Sequence, residues 1–194
     1  MKKAAQSVIL EDAFYVIAAP NGRVLEVANF NPDNGAAVQL WDYAGEPWQQ
    51  WSFVPVGGGY YIKNRFTGKV IDLALRGTAK GTLLHQWSET GHTSQQWKLE
   101  PASRGTRIRS VLAGKCLDLS ELSTANGARA QIWEDVEGGS QEWSIRRVNA
   151  AKEGSAPAKA PVPQGAERAG ALRESALVRK IGGKERASKH RGKK

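Results

Sequence analysis

Three acidic residues stand at one spacing in the chain, Glu26, Asp72 and Asp118, and each is followed fifteen positions on by a tryptophan, Trp41, Trp87 and Trp133. A carboxylate only accepts hydrogen bonds and takes them from two donors at once, and an indole beside it presents a flat apolar face. Such a pair suits non-covalent recognition. It equally suits a structural brace, with the acid capping a tight turn and the tryptophan covering a core edge. Covalent chemistry has no comparable support. His85, His92 and His190 lack metal-ligand spacing, and there is no Gly-x-Ser-x-Gly elbow, phosphate loop or paired-cysteine zinc pattern. No catalytic residue, metal or cofactor is expected.

The elements that position these residues follow from a repeat. Shifting the sequence by 46 lays "NGRVLEVAN" over "TGKVIDLAL" over "AGKCLDLSE", and "NGAAVQLWDY" over "KGTLLHQWSE" over "NGARAQIWED", with no insertion. A second set of tryptophans, Trp51, Trp97 and Trp143, closes each unit as Gln-x-Trp, with Gln49, Gln95 and Gln141 two residues before. Glycines recur at 22, 68 and 114 and at 35, 81 and 127, which fits turns needing positive φ. Within a unit the apolar residues come in bursts such as "FYVIA", "VLEVA", "AVQLW" and "WSFV", the pattern of short strands in an all-β fold. Four strands in each of three units make twelve. A single unit cannot bury its apolar face, so the three are expected to share one core around a pseudo-threefold axis.

On these motifs, "G-x-x-L/I-D/E-L/V" early and Gln-x-Trp late in three units, the chain resembles the ricin B-type β-trefoil lectins over about residues 8 to 148. The resemblance implies a β-trefoil of three 46-residue repeats that binds neutral carbohydrate. It also assigns the acid and the tryptophan fifteen residues later to the sugar: adjacent hydroxyls bind the carboxylate, and the C–H face of a pyranose lies on the indole. The expected sites are Asp72 and Trp87 with Ser94 and Gln95, and Asp118 and Trp133 with Ser140 and Gln141, lined by His85, Gln86 and Gln131. Glu26 with Trp41 is a degenerate third. The family places Asn before the Gln of the last Gln-x-Trp, where this chain has Trp48, Ser94 and Ser140. The terminal tryptophans are expected in the core, each Gln tying a loop through its amide. Family members that are secreted pair a cysteine at the position of Cys116 with one two residues past the aromatic, where Tyr43, Glu89 and Asp135 stand here. Cys116 is therefore read as a small buried hydrophobe in the place of Val24 and Val70.

Charge divides the chain. Residues 1 to 148 hold 16 Lys/Arg against 15 Asp/Glu and all seven tryptophans, whereas 149 to 194 hold 12 against 4 and no aromatic residue, so the net +9 splits into +1 and +8. The second part opens on "GSAPAKAPVPQG", a Pro/Ala linker. A disordered basic tail follows, with one short amphipathic helix expected near 166 to 181. Such a tail suits an anionic polymer, a membrane surface or a partner protein. An intracellular scaffold whose trefoil has lost sugar binding is the rival expectation to a lectin. No secretion signal, no transmembrane segment and no disulfide pair are read, which makes the cytoplasm the expected compartment.

Overall fold

The computed structural model describes residues 9–136 and 139–149. The expected linker, basic tail and short helix beyond them lie outside the described residues. Twelve strands recur at the 46-residue offset. In the first repeat they are β1 (Tyr15–Ala18), β2 (Val24–Val27), β3 (Val38–Trp41) and β4 (Trp51–Val56); in the second, β5 (Gly59–Asn64), β6 (Val70–Leu73), β7 (Leu84–Trp87) and β8 (Trp97–Pro101); in the third, β9 (Thr106–Ser110), β10 (Cys116–Leu119), β11 (Ala130–Trp133) and β12 (Ser144–Arg147). Among the described residues, no helix is long and apolar enough to cross a membrane.

The strands divide into two sets by their partners. Six of them, β12, β1, β4, β5, β8 and β9, pair antiparallel in that order, and a bridge from Thr106 to Trp143 closes the ring into a barrel. Closure leaves no free edge among the six. The others form hairpins β2–β3, β6–β7 and β10–β11. These hairpins meet one another through three bridges, Ala37 to His85, Leu83 to Gln131 and Gln39 to Arg129. Each bridge is the previous one shifted by 46 residues, which defines the pseudo-threefold axis.

Strand alternation decides what goes inside. On β3, Val38 and Leu40 are fully buried while Gln39 is half-buried and Trp41 exposed. Leu25, Val27, Ile71, Leu73, Leu84, Leu117, Leu119, Ala130 and Ile132 join them in one core with Trp51, Trp97 and Trp143. These three tryptophans are completely buried, and each indole nitrogen donates to a carbonyl on the neighbouring hairpin: Trp51 to Leu25 (3.0 Å), Trp97 to Ile71 (3.1 Å) and Trp143 to Leu117 (3.1 Å). The acceptor is in every case the residue just before the recurring acid. The buried donor is thereby satisfied and the barrel is fastened to the strand that carries the acid.

Cys116 is fully buried at the position of Val24 and Val70, which are also fully buried. Burial pushes its thiol up to about 11. The folded chain is accordingly expected to resist maleimide at mildly alkaline pH and to react once denaturant is added; labelling under native conditions would contradict this packing. Where the resembled family has the second cysteine, ion pairs stand instead. Asp135 meets Arg109 (2.7 Å) and Arg107 (3.2 Å), and Glu89 meets Lys63 (3.8 Å).

Candidate functional site

The three acids face away from the core on β2, β6 and β10, opposite Gln39, His85 and Gln131 on the paired strands. All three are held by the Gln of the Gln-x-Trp motif. Gln49 Nε2 donates to Glu26 (3.0 Å), Gln95 Nε2 to Asp72 (3.0 Å) and Gln141 Nε2 to Asp118 (2.8 Å). The same amides grip the loop after the site tryptophan. Their nitrogens donate to the carbonyls of Asp42, Ser88 and Glu134, and their oxygens accept from the backbone N–H of Ala44, Thr90 and Val136. One motif therefore holds the acid's strand twice, by tryptophan on the backbone and by glutamine on the side chain. The loop tie was expected from sequence; the bond to the acid was not.

The second hydrogen-bonding edge of each acid separates the repeats. Glu26 has its other oxygen filled by Gln39 Nε2 (3.0 Å), because the extra methylene carries its carboxylate to both amides. Burial pushes its pKa up, opposed by these two bonds. Asp118 has its other oxygen filled by the N–H of Leu119 (2.7 Å), and is almost completely buried at 1% exposure. Asp72 is the least covered of the three at 7%, and its Oδ1 has no hydrogen-bond partner. A buried acceptor without a donor costs about 1–3 kcal/mol, which sets this carboxylate apart from the other two.

The tryptophans differ as well. Trp41 and Trp87 are exposed, at 41% and 37%, while Trp133 is half-buried and carries the Lys80 ammonium 5.3 Å from its ring centroid. A cation over an indole face is attractive, so the platform of repeat three is already covered. On Trp87 the neighbour is His85, stacked at 5.2 Å and 28°. Burial lowers the imidazole's pKa, nearby Asp72 opposes this and Arg129 adds to it. In repeat one, Trp48 turns its ring to Phe30 (4.2 Å) and Phe66 (6.2 Å). Ser94 is buried with its Oγ 3.1 Å from His92 Nδ1, and Ser140 is half-buried.

Each indole leans on the preceding repeat. The left-handed glycines Gly35, Gly81 and Gly127 (φ 87°, 86° and 87°) donate their N–H groups to the carbonyls of Gln86, Ile132 and Leu40. A Cβ on each would stand 3.8, 3.7 and 4.0 Å from the indole edge of Trp87, Trp133 and Trp41. Asn34, just before Gly35, accepts from Ser88 N–H (2.9 Å), and Asn126 accepts from Asp42 N–H (3.0 Å). The threefold counterpart is Lys80. Gln86, expected to line the site, does not face it: it is fully buried and bonds Thr67 Oγ1 and the carbonyls of Asn31 and Asp33. Gln131 donates to the Leu119 carbonyl (3.2 Å).

Asp118→Asn tests the brace of repeat three. An amide there turns an N–H toward Gln141 Nε2 or Leu119 N, both donors, and the expected loss is about 1–3 kcal/mol of stability. Chemical denaturation would read it; an unchanged midpoint would contradict the bonding described.

A closed six-strand barrel capped by three hairpins in pseudo-threefold array defines a β-trefoil. The chain belongs to the ricin-type β-trefoil lectin domain family, whose model matches residues 7–87, 47–133 and 93–155 in overlapping passes. Among solved structures it is similar to the designed threefold-symmetric protein ThreeFoil, at 31% identity and TM-score 0.68 over 71% of this chain and 100% of that one. An exo-beta-1,3-galactanase from Clostridium thermocellum is 33% identical with TM-score 0.69, over 73% of this chain but 31% of its own. The ricin B-like lectin of Macrolepiota procera, solved in complex with lactose, is 23% identical with TM-score 0.63, over 73% of this chain and 100% of its own. A search of curated proteins gives no match.

Proposed function

We propose that this trefoil is a lectin whose working site is the Asp72–Trp87 pair of repeat two. The exposed Trp87 indole, on the same hairpin face as the Asp72 carboxylate, carries the reading. Asp72 Oδ1 is covered and without a donor, and a sugar hydroxyl would meet it by displacing its cover while Gln95 holds the other carboxylate oxygen in place. Trp87 beside it offers an exposed indole to the C–H face of the same ring. Family membership and the lectin relatives support carbohydrate binding in general. Repeats one and three retain the framework with their carboxylates engaged. The binding is non-covalent, and the activity of the galactanase is not carried over, since this chain spans 31% of it.

A glycan-array screen of the full chain at high salt tests the reading. Salt suppresses retention by the basic tail but leaves a buried hydrogen-bonded site nearly untouched. Defined glycans should still be retained; a folded chain that holds none would overturn the proposal. One observation favours a second reading, a protein-interaction module. Phe30 and Phe66, both exposed, flank Trp48 where the family has its amide. Substituting Phe30 and Phe66 should leave the array unchanged if repeat two is the site.

A further inference from the structure

A carboxylate only accepts hydrogen bonds, and an indole donates only in the plane of its ring, not toward a sugar lying on its face. Asp72 and Trp87 therefore leave the lone pairs of a sugar's hydroxyls without a donor. The loop that joins these two residues supplies one. Gln95 ties that loop: its Nε2 donates to Asp72 (3.0 Å) and to the Ser88 carbonyl (2.9 Å), and its Oε1 accepts from Thr90 N–H (2.8 Å) and Thr90 Oγ1 (3.0 Å). Between Thr90 and Gln95 stands His92, half-buried, with its backbone N–H on Thr90 Oγ1 (3.4 Å).

The imidazole of His92 caps the short 3-10 turn Thr93–Gln95. Ser94 N–H donates to His92 Nδ1 (3.1 Å), and Ser94 Oγ lies 3.1 Å from the same nitrogen. A backbone N–H can only donate, so Nδ1 is the bare nitrogen and the ring hydrogen is on Nε2. Nε2 has no hydrogen-bond partner among the described residues. The buried side-chain atoms that lack a partner are Asp72 Oδ1, Arg107 Nε and Arg129 Nε, so Nε2 faces solvent. It is an open N–H donor on a neutral ring held in one orientation. Repeat one has no counterpart, since Glu46 precedes the equivalent turn Pro47–Gln49 and makes no side-chain cap.

We infer that His92 Nε2–H donates to a second hydroxyl oxygen of the neutral sugar held at Asp72 and Trp87, and that this contact makes His92 a specificity-determining residue of the site. This rests on the reading of Asp72–Trp87 as the sugar site. Acid and imidazole are complementary: one takes a hydroxyl hydrogen, the other gives an N–H to a hydroxyl oxygen. A sugar lacking the second hydroxyl leaves the imidazole donor unpaired and is disfavoured.

The test uses the full chain on an array of neutral glycans, with wild type, His92→Ser, His92→Ser/Ser94→Asn and Asp72→Ala compared alongside their melting curves. Serine at 92 keeps an oxygen to cap Ser94 N–H and removes the ring. Asparagine at 94 places Cγ where Oγ stands and an amide nitrogen about 1.3 Å beyond it, beside the space the ring has left. His92→Ser is expected to weaken retention about three- to tenfold with an unchanged melt, and the added amide should recover most of the loss. A long-range proton–nitrogen spectrum of wild type should show the His92 hydrogen on Nε2. Full retention by His92→Ser, a loss that follows a lowered melt, a loss that the amide does not recover, or the hydrogen on Nδ1 would overturn the inference. Retention that ignores Asp72→Ala, or a wild type that holds no glycan, would instead remove the site on which it rests.

Discussion

Asp72→Ala is expected to weaken sugar binding by about 10- to 100-fold, since the hydrogen bond from a sugar hydroxyl to a charged acceptor is lost. The fold should tolerate it. Gln95 Nε2 keeps its bond to the Ser88 carbonyl, and its oxygen keeps Thr90, so the loop remains tied. The core residues on either side, Ile71 and Leu73, are unchanged. The stability cost is therefore set by one lost hydrogen bond, about 1 kcal/mol. The same change at Glu26 should leave binding where it was, because that carboxylate already serves two amides. Titration calorimetry on both variants separates the repeats. Equal affinity for wild type and Asp72→Ala would sink the assignment.

Trp97→Ala has the opposite signature. The side chain is fully buried, it holds the Ile71 carbonyl at 3.1 Å, and its place lies between barrel and hairpin. Truncating a buried tryptophan costs about 3–5 kcal/mol, a large share of the roughly 5–15 kcal/mol that holds a typical domain together. Much of the population should lose its cooperative melt near room temperature, with sugar binding lost as a consequence of unfolding. Trp87→Ala, at an exposed indole, should cost little stability while removing the platform. Two similar melting curves would mean that the division between core and site tryptophans is wrong.

The strands and the core were legible because the repeat states them three times. Apolar alternation in "VLEV", "VIDL" and "CLDL" is the same statement in different residues, and the structure gives β2, β6 and β10 over those stretches. The buried Trp51, Trp97 and Trp143 follow from the same register. The state of each site was less legible. Whether an acid is open depends on one methylene at Glu26 and one backbone N–H at Leu119, and neither alters spacing. Gln86 misled by its chemistry: position 86 aligns with Leu40 and Ile132, both fully buried, so alternation already pointed it inward. Lys80 and Arg129 were missed for another reason. Reading one repeat at a time hides what the neighbour contributes, and both act on a repeat other than their own.

The glycine cushions behind the tryptophans give the ring a direction. Gly35 of repeat one backs Trp87 of repeat two, Gly81 backs Trp133 of repeat three, and Gly127 backs Trp41 of repeat one. Ownership of a pocket is thus split between two successive units in a fixed cyclic sense. Excising the third repeat would open the barrel and, besides, strip the backing from Trp41 of the first. A lesion in the loop at 34 and 35 would surface one unit downstream, at Trp87. The three copies differ in their acids, but each indole is backed by the glycine of the copy before it.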